Sequence, residues 1–235
     1  SPEKAVPVLG SLLKNASRGE KQAACEALGN IQHESATNLL RDWLQRIADG
    51  KAPPAVALDI LSAAEKHEAL RPLVTAQEKS NQLLGPLGEY RHCIEGGDAR
   101  AGRKVFYDFE ATRCTRCHKL DNKGGNAGPV LNGVGKRLRP EQLLESLITP
   151  SATIAEGFGT TTVELKDGSI YAGVITKDQD GAITLVDINS ETHNISWAKI
   201  QTRSASKESA MPMMGASMSK RQIRDLIAFL KKQKK

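Results

Sequence analysis

Apolar residues recur at helical spacing through the first ~85 residues. "EKAVPVLGSLLKN" sets Ala5, Val8, Leu9, Leu12 and Leu13 on one face. "GEKQAACEALGNI" does the same with Ala24, Ala27, Leu28 and Ile31, and "ESATNLLRDWLQRI" with Leu39, Leu40, Trp43, Leu44 and Ile47. "PPAVALDILSAAEKH" opens on prolines suited to a first helical turn and carries Val56, Ile60 and Leu61. Short polar breaks, "NASRGE" and "ADGKAPP", separate these segments. A faint repeat relates them: Ala24, Leu28 and Ile31 lie over Val56, Ile60 and Ala63 at an offset of 32. Paired helices at that period predict a short α-solenoid over residues 1–90, one that begins upstream of Ser1 or docks on the second half.

Gly85-Pro86 ends the helical run, and Gly96-Gly97 gives a second break with Asp98 placed to N-cap "ARAGRKVFYDF". A cysteine segment, a glycine-rich loop ("NKGGNAGPVLNGVG") and an amphipathic helix stopped by Pro150 follow. The period then changes to two over residues 160–204. "TTTVELKDGSIYAGVIT" predicts two strands around a tight turn, "AITLVDI" a third, and "HNIS" and "AKIQT" close a small sheet of four or five strands. "SKRQIRDLIAFLKK" returns to helix, with Ser219 as N-cap and Leu226, Ile227, Phe229 and Leu230 for burial.

Composition changes this picture in two places. Aromatics make up 4% of the 235 residues, so small aliphatic side chains must fill most of the core. No apolar run reaches the ~18–20 residues that span a bilayer, and "SPEKAVPVLG" lacks the basic and apolar regions of a secretory leader. The net charge of +6 is uneven: residues 1–96 carry 11 Lys/Arg against 12 Asp/Glu, and residues 97–235 carry 22 against 15. Such an excess steers an acidic partner toward the second half or forms a solvated face. No aromatic-interleaved basic motif accompanies it, which argues against nucleic acid.

The chemistry concentrates in "CTRCHKL", with Cys114, Cys117 and His118. A structural zinc site wants a second ligand pair, and the remaining cysteines, Cys25 and Cys93, are solitary and far upstream. A thioredoxin-like dithiol wants a strand before the pair and a helix starting at it, whereas here a helix precedes and a glycine-rich loop follows. The remaining reading is covalent haem c, with thioethers at both cysteines and the adjacent histidine on the iron. A proximal imidazole wants an acceptor for its other N–H, and Pro129 in "GPVL" leaves a carbonyl available. All four methionines fall in "MPMMGASM", where a thioether would suit a low-spin electron-transfer haem; a plain core filling is the alternative.

Residues 97–235 resemble a class I cytochrome c domain of the Planctomycete and Verrucomicrobial haem-binding type. The matching stretches are "GGDARAGRKVF", "CTRCHKL", "GPVLNGVGKR", "LLESLITPSATIAEGF", "VELKDGSIYAGVI", "SAMP" and "IRDLIAFL". "KQAACEALGNI" is similar to the first helix of a HEAT-type repeat, which that group often joins to a C-terminal haem domain. The resemblance implies a mainly α fold: a HEAT-like fragment (1–90) and a cytochrome domain (97–235) with a small β-sheet inserted at 160–204. It implies Cys114 and Cys117 as haem attachment sites, His118 as proximal ligand, Pro129 as its hydrogen-bond acceptor, and Met211 as distal ligand. Met213 and Met214 are rivals to Met211, because "MMG" stands after Pro212 where the family commonly has an acidic residue, glycine and leucine. Arg137 matches a basic position near the haem propionates, with Lys136 as an adjacent rival. Gly102 and Phe106 should cross Leu226 and Phe229.

The function so implied is single-electron transfer, not an enzyme activity, outside the cytoplasm of a bacterium, with a redox partner such as a periplasmic dehydrogenase. The alternative is a haem-based sensor or peroxidase-like site with an open distal position. The inserted sheet is a lid over the haem edge or a docking surface. His33, His67, His92 and His193 are expected at the surface and not as ligands. A Cys25–Cys93 disulfide would tie the two halves together; otherwise Cys25 is a buried thiol within its helix.

Overall fold

A computed structural model describes residues 1–235, which divide into two compact units, Ser1–Gly97 and Asp98–Lys235. The first unit is helical: α1 (Pro2–Asn15), α2 (Arg18–Asn30), α3 (Glu34–Ala48), α4 (Pro54–Glu65) and α5 (Arg71–Gln82), closed by a 3₁₀ segment at Gly88–Cys93. Helices α1 and α2 pack as one pair and α3 and α4 as another, with α1 against α3 and α2 against α4. The shared core is aliphatic: Leu13, Leu28, Leu40, Ile60 and Leu70 are fully enclosed, with Trp43 beside them. The seam of α1 differs from its expected face. Val6, Gly10 and Leu13 point inward, whereas Val8 is 60% exposed.

Two expectations for this unit are corrected. His67 is buried, not on the surface: Thr37 Oγ1 lies 2.8 Å from its Nδ1 and the Leu28 carbonyl 3.0 Å from its Nε2. Both ring nitrogens are thereby satisfied, which makes burial of the imidazole affordable. Cys93 belongs to the same unit as Cys25, and both are fully buried there. A bond between them could not tie the two halves together.

The second unit begins with α6 (Ala99–Asp108), whose first turn is capped by Asp98 accepting from the Arg100 N–H at 2.7 Å. Short helices α7 (Cys114–Cys117) and α8 (Val134–Arg137) follow, then α9 (Pro140–Ile148), and α10 (Lys220–Lys231) closes the unit. Helix α10 starts at a capping box in which Ser219 and Gln222 exchange hydrogen bonds. It packs on α6, α8 and α9. The α6–α10 crossing is backbone to backbone, because a Cβ on Gly102 would lie 1.9 Å from the Asp225 carbonyl oxygen. Phe106 and Phe229 meet one turn further, with ring centroids 5.6 Å apart.

Between α9 and α10 the chain forms a five-stranded antiparallel sheet in the order β4-β3-β2-β1-β5. The strands are β1 (Gly159–Leu165), β2 (Ile170–Gln179), β3 (Ala182–Asp187), β4 (Thr192–Ser196) and β5 (Ile200–Ser209). The β2–β3 turn is an Asp-Gly pair with both residues at positive φ, 57° and 77°, the arrangement that matches strand twist in two-residue hairpins. Val163, Leu165, Ile183, Leu185 and Ile195 alternate inward to form a separate small core. The last strand continues to Ser209, beyond the expected end at 204. The chain is thus a helical region followed by a mixed part, not mainly α throughout. No helix is long and apolar enough to cross a membrane.

Candidate functional site

A single turn of helix, α7, carries Cys114 and Cys117, and the chain leaves it extended at His118. Residues three apart on a helix share a face, and both cysteines with His118 line one cavity of about 400 Å³. The glycine-rich loop grips this segment from behind. Gly125 N–H donates to the Thr115 carbonyl (2.9 Å), Gly128 N–H to Cys117 (2.8 Å) and Leu131 N–H to Lys119 (2.9 Å). Gly128 lies so close to the imidazole that a Cβ there would sit 2.7 Å from the ring carbon Cε1. Glycine is therefore required for the ring to stand where it does.

His118 Nδ1 lies 2.9 Å from the Pro129 carbonyl oxygen, an acceptor that obliges Nδ1 to carry the proton. Nε2 is then the nitrogen with a lone pair. Burial pushes the imidazole below its ordinary value, and the hydrogen bond to Pro129 opposes this only in part. The ring is neutral at neutral pH, the form that ligates metals. Burial pushes the Cys114 thiol up.

The rest of the lining is largely apolar. Phe106, Leu131, Val134 and Leu138 come from the helical part, Leu143 and Leu147 from α9, and Leu226 and Leu230 from α10. Met211 and Met214 also line the cavity. Met214 is buried, whereas Met213 is 68% exposed and lies outside the lining, as does the buried Met218. Arg137 reaches the lining, and its guanidinium donates to the carbonyls of Val130 and Asn132; Lys136 is exposed and does not reach it. All the residues proposed from sequence as attachment sites or ligands therefore meet around one cavity, apart from Met213.

Sequence reasoning gave no role to Ile154 and Phe158, in the connection after α9, or to Val186, Asp187 and Ile188 at the end of β3, all of which contribute to the lining. The apolar run "ATIAEGF" carried a signal for the first two; a strand-end turn carries none. His193 is half-buried and paired with Asp187 at 3.0 Å. Asp187, Glu191 and His193 have donor atoms within 4.8 Å of one another. Yet Asp187 already accepts from the N–H groups of Asn189 and Glu191 as well as from His193, so the trio is a hydrogen-bonded turn.

No protein-family model matches the chain, and no curated protein matches it at a significant level. Two thiols, one neutral imidazole and two thioethers around an apolar cavity form a donor set suited to a soft or borderline metal in a low-dielectric surround. A closed structural zinc site of thiolates and imidazoles would need a fourth such ligand on the lining, and there is none. The residues present fit a haem: paired thiols for covalent attachment, an oriented imidazole, thioether sulfur and apolar walls.

Proposed function

We propose that this chain is a c-type cytochrome that transfers single electrons. The observation that carries this reading is the convergence of Cys114, Cys117 and an oriented His118 on one apolar cavity. Haem c, when bound, supplies one iron that exchanges single electrons between its ferric and ferrous states. Cys114 and Cys117 would hold it through thioethers, and His118 would ligate through Nε2 while Pro129 fixes the ring. Met211 is the proposed distal ligand. Met214 is its rival on the lining, whereas Met213 is exposed and lies off it, which favours the other two. Arg137, held by two loop carbonyls, would face the anionic edge of the group.

The same reading extends to the class I cytochrome c fold for the helical part of the second unit, supported by the α6–α10 crossing at Gly102 and Phe106. The paired helices of the first unit support a HEAT-like module. An extracytoplasmic location in a bacterium and an acidic redox partner, such as a dehydrogenase, follow from that reading. The test is the absorption spectrum of the purified chain, oxidised and reduced. Sharp α and β bands on reduction, unmoved by carbon monoxide, are expected of filled axial positions. A reduced protein that binds carbon monoxide readily would point to a sensor or peroxidase-like site instead.

A further inference from the structure

The inserted sheet reaches the cavity at Ser209, the last residue of β5, and at the end of β3 with the turn after it, where Val186, Asp187 and Ile188 join the lining. This turn is tied down. Asp187 Oδ1 accepts the N–H groups of Asn189 and Glu191, each at 2.9 Å, and Oδ2 lies 3.0 Å from His193 Nε2. Backbone bonds from Asp187 N–H to Glu191 and from Ser190 N–H to Asp187, both 3.0 Å, close the loop around Ser190 at φ 67°. The His193 ring packs on Tyr171 of β2 at 4.8 Å, which anchors the latch to the body of the sheet. Ile188 stands at the tip, 64% exposed overall yet part of the cavity wall. An isoleucine held outward on a rigid turn has no packing role within the sheet's own core, which is complete without it.

We propose that this turn is a working wall of the cofactor pocket: Ile188 limits water and small-ligand access to the bound group, and Asp187 is the positioning residue that holds it there. The proposal rests on the cytochrome reading. An apolar shell around a redox metal disfavours the more highly charged oxidised state and so raises the potential; a polar replacement does the reverse.

The experiment uses the haem-loaded full chain and compares Ile188→Asn with Ile170→Asn. Ile170 is the same residue type, 67% exposed on the same sheet, and outside the lining. Ile188→Asn should shift the one-electron equilibrium at least threefold toward the ferric form, about half of the ~59 mV that a tenfold change represents. It should also speed the binding of added imidazole to the ferric protein. Ile170→Asn should do neither. Asp187→Ala should quicken imidazole binding as Ile188→Asn does, and Asp187→Asn, whose oxygen can still accept both N–H groups, should bind imidazole at the wild-type rate. Haem-loaded protein in which the Ile188 and Ile170 variants behave alike overturns the wall. Wild-type chain that acquires no covalent haem overturns the cytochrome reading, and this proposal with it.

Discussion

At the residue scale, the site depends on one imidazole being held still. Gly128 gives the ring its place, since a Cβ there would sit 2.7 Å from Cε1. Gly128→Ala should therefore displace the ring from the Pro129 carbonyl, cost about 1–3 kcal/mol as an overpacked site, and lower the fraction of chains carrying haem. Thermal unfolding and haem content measured together check this; unchanged values would show that the contact relaxes freely. The distal ligand is decided by a pair of variants. Met211→Ala should abolish the weak long-wavelength sulfur-to-iron absorption of the ferric protein, and Met214→Ala should leave it; the reverse pattern would make Met214 the ligand. The Cys-X-X-Cys-His spacing was legible in the sequence because it is local. The rank of the methionines was not, because only the fold turns Met213 outward and buries Met214. His67 was misjudged for a similar reason: its partners lie 30 and 39 residues away in the chain.

At the element scale, α10 carries a buried carboxyl that makes its packing sensitive to pH. Burial pushes Asp225 above its ordinary value, and the hydrogen bond from the Asp98 N–H at 2.8 Å only partly offsets this. The folded chain then holds the proton more tightly than the unfolded chain. Stability from this group is fully present below the ordinary carboxylate range and declines as pH rises through the raised value. Asp225→Asn keeps an oxygen to accept the Asp98 N–H and removes the ionisation. Stability, followed by unfolding from about pH 3 to about pH 7, should decline less in the variant; a parallel decline would place the pH dependence elsewhere. The helices were legible from their apolar spacing and caps, as Asp98 and Ser219 illustrate. The end of β5 was not: "RSASKES" offers no apolar alternation, and its pairing with β1 holds it in the sheet. The outward turn of Val8 has the same origin, since α1 is covered by neighbours on one side only, along Val6, Gly10 and Leu13.

At the scale of the whole molecule, the excess positive charge and the candidate site fall in the same half. Residues 97–235 carry 22 Lys/Arg against 15 Asp/Glu, whereas residues 1–96 are close to balance. Electron exchange with an anionic small-molecule oxidant should therefore slow as salt is added, while exchange with a cationic one should quicken; stopped-flow rates that ignore salt would remove steering from the account. The division at Gly97 was foreshadowed by the Gly96-Gly97 break. The inserted sheet was expected as a lid over the haem edge or a docking surface, but which of its residues line the cavity was not legible, because a strand-end turn such as "DINS" announces no target. The proposed cytochrome function rests above all on covalent attachment of haem at Cys114 and Cys117. Its most direct test is extraction with acidified solvent of the chain purified from a host that attaches haem to exported proteins, read by mass. A chain heavier by a single haem that survives extraction is expected, with loss of that mass when both cysteines are replaced by serine. Haem that leaves with the solvent, or a chain that never carries it, would show that Cys114 and Cys117 do not hold haem covalently.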